Sequence, residues 1–162
     1  MKEHHRITKQ ESALDETFNM QNSLNVRVIS DSGFVVGKVS QIRIHPTKMV
    51  LEGIVVSPGF LKKPIYIGRS YIKKLSEESF ILNIYPSILL KGENVLDTEG
   101  RKIGKVSEVV RKEHSNEIRE LIVSSPFRKK FVITPQNIKH IGESIILKPN
   151  YHVQKKYFWQ KS

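Results

Sequence analysis

The sequence predicts an all-β protein made of two small, similar units packed side by side. Residues 28–39 read VISDSGFVVGKV and residues 95–106 read VLDTEGRKIGKV, and the similarity continues along much of the remaining chain. A self-match at a fixed offset indicates that one structural unit is used twice. Short apolar runs separated by turn residues, with no long helical pattern, favour strands closed into a small barrel or sandwich.

The first repeat begins with a hairpin. Gly33 lies at its turn, where a tight hairpin needs a residue that adopts positive φ. Gly37 indicates a bend or bulge in the returning strand. Pro46 and Pro58 mark the next two turns, and residues 69–71 are predicted to form a short helical turn. The strands predicted in this repeat cover residues 25–30, 35–44, 49–57, 65–67, 72–75 and 80–84.

The second repeat retraces the first, and the two ends of the chain match neither. Its predicted strands cover residues 95–97, 102–111, 117–124, 131–133, 138–141 and 144–148. We therefore divide the chain into a polar N-terminal arm (1–22), a first repeat (23–85), a second repeat (86–150) and a basic, aromatic tail (151–162). Residues 85–87 are interpreted as a short linker. We expect an approximate two-fold axis to relate the two barrels.

The composition is strongly basic, with 27 Lys and Arg against 16 Asp and Glu, a net charge of +11. This charge favours anionic partners such as RNA, the ribosome, anionic lipid or an acidic protein face. The absence of cysteine excludes disulfides, thiolate catalysis and Cys-ligated zinc. No apolar run approaches the ~18–20 residues that span a bilayer, and the N-terminus fits no secretory signal. We therefore expect a cytoplasmic protein.

The order of the pieces in each repeat resembles the PRC-barrel family. The pieces are the glycine hairpins at 28–39 and 95–106, the Val- and Ile-rich strands at 54–57 and 121–124, Phe60 and Phe127, and the Ile-Lys strands at 72–75 and 138–141. Together they cover about residues 24–149. The family includes the cytoplasmic domain of the photosynthetic reaction-centre H subunit and the C-terminal domain of a ribosome maturation factor. The resemblance implies a non-catalytic binding module without shared catalytic residues.

The residues themselves offer no reaction centre. The Gly-Lys-Val-Ser runs at 37–40 and 104–107 lack the spacing of a phosphate-binding loop. The six histidines have no metal-ligand spacing, and no Gly-x-Ser-x-Gly nucleophile motif is present. We predict that the protein is not an enzyme and binds no metal or cofactor.

Two hairpin tips are candidate binding surfaces because each combines an aromatic side chain with cations. The residues are Phe60, Lys62 and Lys63 in the first repeat, and Phe127, Arg128, Lys129 and Lys130 in the second. Such loops are suited to phosphate contacts or an acidic partner. In the alternative interpretation, each Phe covers its own barrel and the lysines only keep the tip soluble.

The tail is the other candidate surface. It holds Lys155, Lys156 and Trp159, the only tryptophan in the chain. Aromatic residues among lysines stack on bases, lie at membrane interfaces or anchor a protein partner. The tail is equally suited to fold back over an open barrel end.

These features predict a non-catalytic adaptor or scaffold that mediates protein–protein interaction. The alternative is an RNA- or ribosome-associated protein that binds through its basic hairpin loops and tail. The sequence has no predicted transmembrane segment, and peripheral membrane contact through the tail stays open.

Overall fold

A computed structural model of the protein describes residues 7, 17, 19–126 and 130–149. The chain divides into two compact units, Met1–Asn83 (unit 1) and Ile84–Ser162 (unit 2), and each contains one six-stranded sheet. Within the described residues the only helical segments are 3₁₀ turns of three or four residues. The predicted all-β class is confirmed.

Unit 1 has two long central strands and four short ones. Its strands are β1 (Arg27–Ile29), β2 (Val35–His45), β3 (Val50–Ser57), β4 (Ile65–Gly68), β5 (Ile72–Leu75) and β6 (Ser79–Leu82). They lie in the order β4-β3-β2-β1-β6-β5. All neighbours are antiparallel except β1 and β6, which are parallel and bring the two ends of the unit together.

Unit 2 repeats this topology strand for strand. Its strands are β7 (Asn94–Leu96), β8 (Lys102–Arg111), β9 (Ile118–Ser124), β10 (Lys130–Ile133), β11 (Ile138–Ile141) and β12 (Ser144–Leu147), in the order β10-β9-β8-β7-β12-β11. The irregularities match as well. The ladder shifts after Val28 in unit 1 and after Val95 in unit 2, and again after Val39 and Val106.

The first hairpin of each unit uses the same turn with different side chains. Gly33 (φ 87°) and Gly100 (φ 78°) take the left-handed conformation that glycine adopts without steric cost. In unit 1 the Ser30 hydroxyl accepts a hydrogen bond from the Phe34 N–H at 3.1 Å. In unit 2 the Asp97 carboxylate accepts one from the Arg101 N–H at 2.9 Å. A small polar side chain thus closes both turns.

Each unit has its own apolar core, formed by the inward-facing residues of its sheet. In unit 1 the buried residues are Val28, Val36, Val39, Ile54, Val56, Ile67, Phe80 and Leu82. In unit 2 they are Leu90, Val95, Val106, Leu121, Val123, Phe131, Ile133, Ile145 and Leu147. The alternation of buried and exposed positions along the strands is the period-two pattern on which the strand predictions rested.

The expected closure by strand pairing is wrong for both sheets. In the described residues β4 and β5 are the two edges of the unit 1 sheet and do not pair, although only the 3₁₀ turn Arg69–Tyr71 separates them along the chain. Asn83 holds this turn, because its N–H and side-chain amide donate to the carbonyls of Tyr71 and Ser70, each at 3.0 Å. These bonds occupy the carbonyls of Ser70 and Tyr71, in the connection where a hairpin between β4 and β5 would have to form. The two edge strands therefore follow one another along the chain without pairing. Each unit is barrel-like but open.

The segment interpreted as a linker is part of unit 2. Ser87–Leu90 forms a 3₁₀ turn in which Leu89 and Leu90 are buried. Tyr85 packs against the core of the same unit. The boundary between the units lies between Asn83 and Ile84.

Candidate interaction surfaces

The β3–β4 hairpin of unit 1 ends in an exposed apolar pair. Phe60 and Leu61 are the two central residues of a turn in which the Lys62 N–H donates to the Gly59 carbonyl at 3.3 Å. Their exposed fractions are 102% and 91%. Lys62 and Lys63 follow directly and are exposed too. We call residues Phe60–Lys63 the tip.

The base of this hairpin is fixed by a close backbone contact. A Cβ atom on Gly37 would lie 2.3 Å from the Ser57 carbonyl oxygen and 2.8 Å from Pro58 Cα. Only glycine lets β2 approach the end of β3 so closely. The tip therefore projects from a well-anchored pair of strands.

The charges carried by the tip itself are both positive. Lys62 and Lys63 follow the apolar pair directly, and no Asp or Glu lies between Gly53 and Ser76 in the sequence. The other basic residues of this stretch lie away from the tip: Arg69 follows the far end of β4, where Gly68 pairs with Gly53, and Lys73 and Lys74 lie in β5. The two exposed lysines therefore give the tip a positive local field.

The structure locates four of the candidate residues chosen from the sequence. Phe60, Lys62 and Lys63 lie together on the tip, and Lys130 is the exposed first residue of β10. For Phe60 the alternative interpretation, that the ring covers its own barrel, is wrong, since the side chain is fully exposed. The remaining candidates, Phe127, Arg128, Lys129, Lys155, Lys156 and Trp159, lie outside the described residues.

A second surface in unit 1 was not predicted. It is an apolar groove of about 330 Å³. Its lining residues are Thr17, Met20, Ile42, Ile44, Met49, Leu51, Leu75 and Phe80. We call this surface the groove. Phe80 is buried, whereas Ile44 and Met49 are 45% and 79% exposed, so the groove opens to solvent beside the turn between β2 and β3.

The corresponding region of unit 2 can be identified because the two units match closely at their starts. Met20–Ser23 and Ser87–Leu90 are equivalent 3₁₀ turns. Just after them, the N–H groups of Asn25 and Gly92 donate to the carbonyls of Val39 and Val106, each at 2.8 Å. These equivalent residues are 67 positions apart in the sequence (20 to 87, 25 to 92). At the same spacing, Ile42 and Leu51 of the groove correspond to Val109 and Ile118.

In unit 2 an aromatic side chain from the segment before the 3₁₀ turn is half-buried against the core. Tyr85 packs against the unit 2 core, as do Val109 and Ile118. Burial, and then the negative charge of Glu93, raises the pKa of the Tyr85 hydroxyl. The counterpart of Tyr85 in unit 1 is Phe18, which lies outside the described residues.

Asn116 fastens the segment of unit 2 that carries Tyr85. Its Oδ1 accepts from the Ser87 N–H at 2.7 Å and its Nδ2 donates to the Tyr85 carbonyl at 2.9 Å. The residue that corresponds to Asn116 in unit 1 is Met49, whose thioether has no amide to make these bonds. Where unit 2 has the two hydrogen bonds of the Asn116 side chain, unit 1 therefore has the exposed apolar side chain of Met49.

One sequence signal would have revealed the groove. Ile44 and Met49 are apolar at positions where the second repeat has Arg111 and Asn116. An apolar residue at an exposed position that is polar in the twin repeat is difficult to explain by folding alone. It indicates a surface that only one unit has.

The part of the chain that the structure describes has neither a metal-type cluster nor a membrane-spanning helix. There, no group of three or more His, Cys, Asp or Glu residues is arranged to hold a metal ion. Within the same residues, no helix is long and apolar enough to cross a membrane.

The family model of the PRC-barrel domain matches residues 89–154. The resemblance drawn from the sequence is thereby confirmed for unit 2, which carries a domain of this small β-barrel family. Unit 1 has the same strand order and the same bulges as unit 2. No curated protein matches the chain.

Proposed function

We propose that the protein is a non-catalytic adaptor and that the groove of unit 1 receives an apolar segment of a partner protein. The observation that carries this proposal is the apolar lining of the groove, in which Ile44 and Met49 are exposed. PRC-barrel domains are often protein-interaction modules, which is consistent with it.

The size and chemistry of the groove suit one or two large apolar side chains. Full burial of one Phe, Leu or Met side chain contributes about 1.5–3 kcal/mol, and binding energy concentrates where such anchors fill pockets. Met20 and Met49 are unbranched and adapt to differently shaped ligands. The described lining residues carry no ionisable group, so what they offer a partner is apolar contact.

Unit 2 indicates what kind of segment fits. There an aromatic residue, Tyr85, precedes the 3₁₀ turn Ser87–Leu90 and packs on the core. We expect the partner to present a Phe, Tyr or Trp from a similarly extended segment.

The proposal is tested by affinity capture from native cells with paired variants. Ile44→Glu and Val35→Glu each place a carboxylate on an exposed residue of β2, but only Ile44 lines the groove. We expect Ile44→Glu to reduce capture of the partner about tenfold or more, since it puts a charge in an apolar contact. Val35→Glu should leave capture unchanged.

A third variant, Phe18→Ala, separates a partner from the protein's own arm. If Ile44→Glu and Phe18→Ala lower thermal stability equally while capture is unchanged, the groove holds the arm of this chain and the proposal is wrong. Equal capture by the Ile44→Glu and Val35→Glu variants would also contradict it.

RNA or ribosome binding is the second candidate, favoured by the net charge of +11 and the exposed lysines of the tip. Phosphate contacts release counterions, so the affinity should fall steeply with salt. Filter binding across a salt series, with Lys62, Lys63 and Lys130 changed to Glu, tests this function. An affinity that these changes leave intact would exclude it.

A further inference from the structure

The tip of unit 1 has a feature that neither the fold nor the groove explains. Phe60 and Leu61 are adjacent, both almost completely exposed, and both at the centre of a turn that any polar residue would accept. Single exposed apolar residues are common in soluble proteins, but a protruding pair of this size indicates a binding surface.

We propose that the tip attaches the protein to anionic membranes, with Phe60 and Leu61 entering the lipid interface and Lys62 and Lys63 contacting the headgroups. This inference goes beyond the proposed function and does not depend on the groove. Interfacial helices combine Phe, Leu or Trp with Lys or Arg and bury their apolar face about 5–10 Å deep, and the same two contributions are open to an exposed turn. The tip has this composition within four consecutive residues.

The shape of the tip favours a membrane over a protein pocket. The apolar pair is at the convex end of a two-stranded hairpin whose last paired residues are Val56 and Ile65. A bilayer accepts such a protrusion without a preformed cavity. Protein interfaces instead concentrate Trp, Tyr and Arg at their hot spots, where Leu is under-represented, and they are depleted of Lys.

The same composition argues against nucleic acid as the ligand. Aromatic rings stack on bases, so Phe60 alone would suit a single strand. Leu61 has no ring to stack and is as exposed as its neighbour. Lipid is the anionic partner that uses both side chains.

Stable membrane attachment needs an electrostatic contribution besides the burial of Phe60 and Leu61, and the positive charge of the tip supplies it. A single apolar anchor gives only marginal, reversible membrane binding. Each Lys or Arg near an anionic surface adds about 1 kcal/mol, and this contribution falls off within a Debye length. On the tip, Lys62 and Lys63 follow the apolar pair directly, are exposed and supply this contribution.

The test is flotation of the full chain with vesicles. One set contains equal parts of phosphatidylglycerol and phosphatidylcholine, and the other contains phosphatidylcholine alone. Three variants are compared with the unchanged protein: Phe60→Ser/Leu61→Ser, Lys62→Gln/Lys63→Gln, and the control Val35→Ser/Ile88→Ser. The control also removes two exposed apolar side chains, and all six positions are exposed, so folding should be preserved.

We expect binding to the phosphatidylglycerol vesicles only. The Phe60→Ser/Leu61→Ser protein should bind them about tenfold or more weakly, because the apolar contribution of two side chains is lost. The Lys62→Gln/Lys63→Gln protein should be weakened by a similar factor, and raised salt should weaken every variant that keeps its lysines. The control should bind as the unchanged protein does.

Three results would overturn the proposal. One is the absence of vesicle binding by the unchanged protein. Another is binding that survives Phe60→Ser/Leu61→Ser at full strength, which would assign it to charge alone. The third is loss of RNA or partner-protein binding, rather than vesicle binding, in the tip variants. The first two results leave the capture experiment with Ile44→Glu and Val35→Glu untouched, so the membrane proposal can fail while the groove proposal stands.

Discussion

Gly37 and Gly104 show how single residues determine where strands approach each other in this protein. They are equivalent in the two units, and a Cβ on either would meet the backbone of the facing strand. The nearest carbonyl would be Ser57 O at 2.3 Å for Gly37 and Ser124 O at 2.7 Å for Gly104. The sequence predicted a bend or bulge at Gly37, and the ladder between β1 and β2 does shift there, from Val28–Gly37 to Ile29–Val35. The close contact with Ser57 is a further requirement for glycine at this position.

Gly37→Ala should therefore lower the free energy of unfolding by about 2–3 kcal/mol, the cost of forcing an extra carbon into a packed site. The control is Gly33→Ala, because Gly33 has positive φ but open space around it. Its cost should be only about 1 kcal/mol. Denaturant unfolding measures both. Equal costs would contradict the close contact as the reason for glycine at position 37.

Asp97 gives unit 2 a pH dependence that its counterpart Ser30 does not give unit 1. A hydrogen bond from Arg101 Nε, at 2.8 Å, is the main cause that lowers the pKa of the Asp97 carboxyl below its ordinary value. Hydrogen bonds from the N–H groups of Arg101 and Glu99 act in the same direction. A carboxyl whose pKa is lowered by folding stabilises the protein while it is ionised.

The contribution of Asp97 is thus present at neutral pH and lost as the pH falls below about 4 and through the folded-state pKa. We expect Asp97→Asn to lower the melting temperature at pH 7 and to flatten its fall between about pH 4 and pH 2. Asp31→Asn is the control, since the Asp31 carboxylate accepts only the Ser32 N–H. A melting curve with the same acid dependence in the Asp97→Asn and unchanged proteins would contradict this role.

At the scale of the elements, the positions of most strands were predictable from the sequence, but which strands pair with each other was not. Alternating apolar residues and the turns at Gly33 and Gly100 predicted the hairpins, because both signals are local. The parallel pairs β1–β6 and β7–β12 join residues far apart in the sequence. No local pattern encodes such a pairing, and for the same reason the open edges of the sheets were missed.

The segment before β7 shows why the linker prediction failed. Residues 85–87 were interpreted as a linker because they lie between the two repeats, but Asn116, distant in the sequence, binds Ser87 and Tyr85 through its side-chain amide. For a similar reason the sequence predicted the tip as a binding surface but not the groove. The tip is contiguous in sequence, whereas the groove gathers residues from the arm, β2, β3, β5 and β6.

Asn116→Ala should cost about 1–3 kcal/mol, because it leaves the Ser87 N–H and the Tyr85 carbonyl without this partner in a half-buried place. The matched control is Met49→Ala at the equivalent position of unit 1. Met49 is 79% exposed, and its loss should change stability by no more than about 0.5 kcal/mol. Chemical unfolding followed by tyrosine fluorescence compares the two. Similar losses from both variants would show that Asn116 does not fasten the segment that carries Tyr85.

At the scale of the whole molecule, one fold is used twice and the copies have diverged at the surface. In unit 2, Tyr85 packs against the core and Asn116 fastens its segment, whereas Met49 stands at the position of Asn116 in unit 1. Unit 1 has the apolar groove, and the tip projects from its β3–β4 hairpin. The two surfaces differ in chemistry, since the groove is a mainly apolar concavity without ionisable side chains and the tip is a convex apolar pair with cations. We infer that a partner protein and an anionic membrane bind them separately.

Methyl NMR of the three methionines, Met1, Met20 and Met49, tests this account most directly, because Met20 and Met49 line the groove and none lies in the tip. The protein carries ¹³C-labelled methionine methyl groups and receives first the captured partner and then phosphatidylglycerol vesicles. We predict that the partner shifts the Met20 and Met49 signals, and that the vesicles broaden the spectrum through slower tumbling without shifting either signal. Unchanged Met20 and Met49 signals in the presence of the bound partner would contradict the account.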